Sequence, residues 1–180
     1  LVKNETGTAV FSTTFDFQGP IDIREGSIDL TGSGSIGNVV RLASLSPLGV
    51  SPSVAFDAAS QLTGDGTVVG DLTMPGTIAP GDSGIGSLEF IDSLALADTS
   101  TLLIELGGVA PGEFDALQVG GSAVLDGMLT VELTDLGGGI FAPQEGDAFE
   151  FLVAQTSLSG FFDAFSLPTL AAGLGWEANL

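Results

Sequence analysis

Apolar residues in this chain recur at every second position, in runs of only three to seven residues. Ile21 and Ile23, Ile28 and Leu30, Val54 and Phe56, and Leu88 and Phe90 follow that period. So do Leu102, Ile104 and Leu106, and Leu129, Val131 and Leu133, where Thr130 and Glu132 fall on the opposite side. A period of two sends alternate side chains to opposite faces of an extended strand, and each run ends in Gly, Asp, Asn, Ser or Pro, which turn the chain. The 3.6-residue apolar stripe of a helix is missing, and Gly interrupts every window of helical length. The chain reads as all-β, built from many short strands.

Such strands suit a sandwich of two facing sheets or a parallel β-solenoid (β-helix), in which the chain winds into stacked coils. Three features favour the solenoid. Similar phrases recur after glycine corners, GSIDL from Gly26, GSLEF from Gly86 and GMLTV from Gly127, and read as equivalent strands of successive coils. Aromatic residues make up only 7% of the chain and are mostly Phe, which suits a narrow lumen filled by Val, Leu and Ile. Two-residue hairpin turns are scarce, with Asp65-Gly66 and Asp126-Gly127 the only Asn-Gly or Asp-Gly pairs. The expectation is one solenoid domain over residues 1–180, with short irregular coils of about 20–25 residues and a more aromatic C-terminal end. Within it, 1–61 read as degenerate coils, 62–106 as glycine-rich coils, and 107–180 as C-terminal coils with a cap.

Charge narrows the function. The 180 residues carry 3 Lys+Arg against 23 Asp+Glu, a formal net charge of −20. The cations are Lys3, Arg24 and Arg41, so from Leu42 onward eighteen acids face no counter-charge. Phosphate and anionic membranes are bound by clustered cations, so nucleic acid is not an expected partner. Cys, His and Tyr are all absent, which removes disulfides, thiolate and imidazole metal sites, and Cys–His or Ser–His catalysis. The longest uncharged stretch is broken by Pro47 and Pro52 and is too short to span a bilayer as a helix, so membrane insertion is not expected. The N-terminus, LVKNETGTAV, has no initiator Met, and the chain is expected to be secreted or at the cell surface, its signal peptide already removed, or to be a fragment.

The stretch QLTGDGTVVGDLTMPGTIAPGDSGIGSLEF resembles the passenger repeats of bacterial autotransporters and related surface proteins, in which a G-x-G-T-V strand leads to G-T-I-x-P-G-x-S-x-G. GEFDALQVGGSAVLDGMLTVEL, FAPQEGDAFEFLVAQTSLSGFF and LPTLAAGLGW resemble the segment that closes such β-helices. The resemblance covers Leu62 to Trp176 and implies a parallel β-helix on a bacterial surface. The residues agree with it. Gly76, Gly81, Gly84 and Gly86 fit sharp turns or close backbone approach, and Pro80 and Pro143 fit corners. Asp65, Asp71, Asp82 and Asp147 beside glycines suit turn amides. Phe114, Phe149, Phe151, Phe161 and Phe162 are expected to plug the wider C-terminal lumen, with Trp176 sealing it.

Catalysis has thin support. Lyases of this fold use cations, which the chain lacks after Arg41, and the carboxylate pairs Glu89 with Asp92, Glu113 with Asp115, and Glu132 with Asp135 lack surrounding sugar-binding aromatics. Asp22 with Arg24 reads as a surface pair along one strand. The GSGSIG run at Gly32 precedes no helix and has no Lys beside it, unlike a phosphate loop. Asp65, Asp71 and Asp82 are candidate calcium ligands if their turns stack, against the alternative that each caps a turn. The expected function is a non-catalytic structural protein of the cell surface or extracellular space, a building block of a fibre, sheath or stalk that self-associates head-to-tail. The alternative is an adhesin or carbohydrate-binding module, with a glycan as ligand.

Overall fold

Period-two strands separated by glycine, serine and aspartate wind here into coils. The computed structural model describes residues 1–179 and shows twenty β-strands and no helix among them. The first coil holds β1 (Val2–Phe11) and β2 (Phe15–Phe17), and the second β3 (Ile21–Leu30) and β4 (Gly34–Ile36). The third holds β5 (Val39–Leu42), β6 (Pro47–Val50) and β7 (Val54–Phe56), and the fourth β8 (Gln61–Gly64), β9 (Thr67–Val69) and β10 (Leu72–Met74). The fifth holds β11 (Thr77–Pro80), β12 (Ser87–Phe90) and β13 (Leu94–Leu96). The sixth holds β14 (Thr101–Leu106), β15 (Ala116–Val119) and β16 (Ser122–Leu125). The seventh holds β17 (Met128–Leu133), β18 (Leu152–Ala154) and β19 (Ser157–Gly160), and β20 (Ala164–Ser166) begins an eighth.

Strands of successive coils pair in parallel, giving a β-solenoid with three faces. The first face stacks β5, β8, β11, β14, β17 and β20, and the second stacks β6, β9, β12, β15 and β18. Strand β3 serves both: Ile21–Ile23 pair with β5, and Ile28–Leu30 pair with β6. The bend between them is at Gly26, whose φ of 72° only glycine adopts without strain. The third face runs as two pieces, β2-β4-β7 and β10-β13-β16-β19. At about 4.8 Å per coil the stack is about 35 Å long.

Register aligns the apolar positions into columns. On the first face Ile21, Val40, Leu62, Ile78, Leu102 and Leu129 lie one above another, all buried. On the second, Ile28, Leu48, Val68, Phe90 and Val119 do the same. Leu72, Leu94 and Ala123 line the third. Each buried aliphatic contributes about 1.5–3 kcal/mol, so the lumen supplies the main stabilisation.

Three expectations need correction. GSIDL and GSLEF both lie on the second face, but GMLTV opens β17 on the first, so the phrases are not equivalent strands. Glycine followed by alternating apolar residues opens strands on the first face as well as on the second. Coil length also departs from about 20–25 residues: from Ile21 the first-face partners Val40, Leu62, Ile78, Leu102, Leu129 and Phe165 follow at intervals of 19, 22, 16, 24, 27 and 36 residues. Phe161 does not plug the lumen and is 76% exposed, whereas Phe114, Phe149, Phe151 and Phe162 pack against the core. Phe161 lies outside the strands, between β19 and β20, so no inward strand position is imposed on it.

Candidate functional site

The extra residues of the long coils are concentrated at one corner. From the third coil to the seventh, the connection from first to second face has four, two, six, nine and eighteen residues: 43–46, 65–66, 81–86, 107–115 and 134–151. Connections at the other two corners never exceed four residues among the described strands. A ridge of loops that lengthen from the fourth coil to the seventh therefore runs along one edge of an otherwise smooth prism.

Each loop is tied to its neighbours. Arg41 of β5 reaches Asp82 in the fifth-coil loop at 2.7 Å. Asp65 Oδ1 accepts the Ser87 amide at 2.9 Å, joining the fourth and fifth coils. Asp115, only 1% exposed, links three segments: Oδ1 accepts the Gly86 amide and Oδ2 the Glu105 amide, both at 2.8 Å. Burial, opposed by those two N–H donors and reinforced by the charges of Glu105 and Asp65, pushes the Asp115 carboxyl up to about 7. In the seventh-coil loop the Leu136 side chain lies on Gly107, where a Cβ would sit 2.6 Å from it. Asp135 pairs with Ile140 across an antiparallel bridge, and its Oδ1 accepts the amides of Gly137 and Gly139 at 2.7 and 2.8 Å. Those donors hold the Asp135 carboxyl below the usual carboxylate range. Phe149 of this loop packs against Phe114, Phe141 and Trp176, with ring centroids 5.7, 6.0 and 6.4 Å away.

The loop tips are apolar. Leu45 is 89% exposed at φ 63°, a left-handed conformation unusual for leucine. Ile140 is 71% exposed, and Val109 and Leu136 are about half exposed. Apart from Arg41, every charge on the ridge is acidic, including Asp82, Glu113, Asp135, Glu145 and Asp147.

The three proposed calcium ligands are divided between two corners. Asp65 and Asp82 lie on the ridge, while Asp71 lies at the corner between second and third faces and accepts the Ser93 amide at 3.1 Å. Asp92 there returns the exchange by accepting the Gly70 amide at 2.8 Å. Among the described residues no group of three or more acidic side chains is placed to hold a metal ion. Asp65 and Asp71 bind amides of the next coil rather than their own turn; Asp147 does cap its own turn through the Gln144 amide. Of the carboxylate pairs, Glu89 bonds Thr67 and Asp92 bonds Gly70, while Glu113 closes its loop on Ala110. Asp22 and Arg24 form an exposed surface pair at 2.7 Å. Sequence reading missed Leu45, Val109, Leu136 and Ile140, and it treated Asp115 only as a partner of Glu113. The available signal was the uneven spacing of the strand runs, which marks where one corner lengthens.

Among curated proteins, the chain is 41% identical over 71 residues to the adhesin BmaC autotransporter of Brucella suis biovar 1 (strain 1330). The matched stretch is 38% of this chain and 2% of that protein, so the chain spans a small part of its relative's length. No protein-family model and no solved structure matches the chain.

Proposed function

We propose that this chain is a non-catalytic β-solenoid segment of an adhesin-type protein, displayed at the cell surface or in the extracellular space. The similarity to an autotransporter adhesin carries the reading, and the parallel coils with an elaborated, apolar-tipped edge support it. A stack of coils projects a binding edge from a surface with little cost in flexibility. A protein partner suits this edge better than a glycan. The single Trp packs on Phe149 and donates its indole N–H to the Pro168 carbonyl, so it offers no free platform for a sugar ring. Beads coated with the purified chain should be retained on epithelial monolayers well above albumin-coated beads. Retention equal to albumin would contradict the adhesive role.

A second reading, a repeating unit of a fibre, is favoured by the ends. Among the described residues strand β1 pairs on one side only, and its last residue Phe11 clusters with Phe15 and Phe17 at centroid distances of 5.0–5.2 Å. The opposite end exposes Phe165 and Leu167, and all three cations lie in the first three coils. Head-to-tail contact would cover unpaired edges and set the less negative end against the more negative one. Light scattering should then show mass rising with protein concentration; a constant monomer mass would exclude the fibre.

A further inference from the structure

We infer that the tips of the corner ridge around Val109, Leu136 and Ile140 form a docking surface for a cationic polypeptide segment that also carries apolar side chains. The inference rests on the adhesin reading and names the partner chemistry for it. Exposed aliphatic side chains scattered singly need no explanation, but these three sit on two adjacent loops that touch each other through Leu136 and Gly107. The seventh-coil loop is also held in shape. Asp135 accepts two of its amides, the Phe141 amide donates to the Thr134 carbonyl at its neck, and Phe149 of the same loop packs on Phe114 of the neighbouring loop. Gly137 and Gly139 adopt φ values of 103° and 104°, a backbone course open to glycine and strained for other residues. The result presents Leu136 and Ile140 outward on a fixed frame, and a surface ordered in advance loses little entropy on binding.

Charge selects the occupant. From Leu42 onward the chain has no cation, so the charged groups flanking these tips, Glu113 and Glu145 among them, are acidic. An acidic or polyphosphate ligand would be repelled, and a neutral sugar would leave these charges unused. A Lys- or Arg-bearing segment with interspersed aliphatic residues meets both features, its apolar groups on the tips and its charges on the rim.

The probe is a 16-residue peptide of alternating Lys and Leu, titrated into the full chain and followed by amide NMR shifts, with an alternating Glu and Leu peptide alongside. Shifts from the Lys peptide should cluster at 107–113 and 134–141. A Val109→Ser, Leu136→Ser, Ile140→Ser variant should weaken binding at least tenfold. A control carrying Val69→Ser, Ile91→Ser and Val124→Ser, exposed aliphatics off the ridge, should change it less than twofold. Equal losses in both variants, shifts spread over all faces, or equal binding of the Glu peptide would overturn the inference. The bead assay separates the two readings. If beads adhere and the ridge variant adheres equally, the docking surface fails and the adhesin role stands; if wild-type beads do not adhere, the adhesin role fails whatever the peptide does.

Discussion

Two aspartates show how local surroundings set opposite responses to pH. The folded-state value of Asp115, about 7, lies above the roughly 3.9 of an unfolded aspartate, so the folded chain holds this proton more tightly. The resulting stability is fully present below about pH 4 and is lost as pH rises through about 7, a change on the order of 4 kcal/mol. Urea unfolding should therefore give a higher midpoint at pH 5 than at pH 8, and Asp115→Asn should flatten that difference. An unchanged slope in the variant would contradict the assignment. Asp135 behaves oppositely, because its lowered value makes its contribution present above the ordinary aspartate range and lost as pH falls through the lower folded value. Glycines divide just as sharply. A Cβ on Gly127, at φ 69°, would lie 2.4 Å from the Ser100 carbonyl oxygen, so Gly127→Ala should cost more than about 1 kcal/mol. Gly138 has open space around it and no left-handed φ, so Gly138→Ala should be neutral or stabilise by up to about 1 kcal/mol. Thermal melts of the pair decide the point.

For the strands, parallel register makes each apolar column a shared structure. Val131 stacks on Ile104 and is buried, so Val131→Asp places a charge among side chains that offer no partner. It should lower the melting temperature steeply, and Leu102→Ala should cost about 2–5 kcal/mol; an unchanged melt for either would contradict the columns. This level was legible in the sequence. Alternation at Leu102, Ile104, Leu129 and Val131 marks the strands and their inward sides, and the scarcity of hairpin turns points to coils. The ridge was less legible. Residues 107–115 and 134–146 lack alternation, and the shape of the ridge depends on contacts such as Asp115 with Gly86 that join residues 29 apart. Leu45 carries no local signal for its left-handed turn, since nothing about leucine favours it. Of the aspartates expected to accept turn amides, Asp147 caps its own turn, Asp65 and Asp71 accept amides of the next coil instead, and Asp82 pairs with Arg41; a sequence cannot show these reaches between coils.

Across the whole molecule, a net charge of −20 with two ion pairs among the described residues leaves many carboxylates repelling one another. NaCl should raise the melting temperature by screening, and CaCl2 should add little beyond the same ionic strength of NaCl, because Asp65, Asp71 and Asp82 are engaged separately. A distinct further rise with Ca²⁺ would show that carboxylates from different coils converge on the ion. The stacking itself is tested most directly by distance measurement along one face. Asp22, Leu103, Thr130 and Ser166 each follow by one residue the paired column that runs through Ile21, Leu102, Leu129 and Phe165, and so mark one line along the first face at the second, sixth, seventh and eighth coils. The chain has no native cysteine, so spin labels can be placed at Asp22 and at each of the other three in turn. Pulsed electron resonance should give separations of ~19, ~24 and ~29 Å, rising by about 4.8 Å per coil whatever the sequence separation. Separations that do not rise in equal steps, as two facing sheets would produce, would contradict the solenoid.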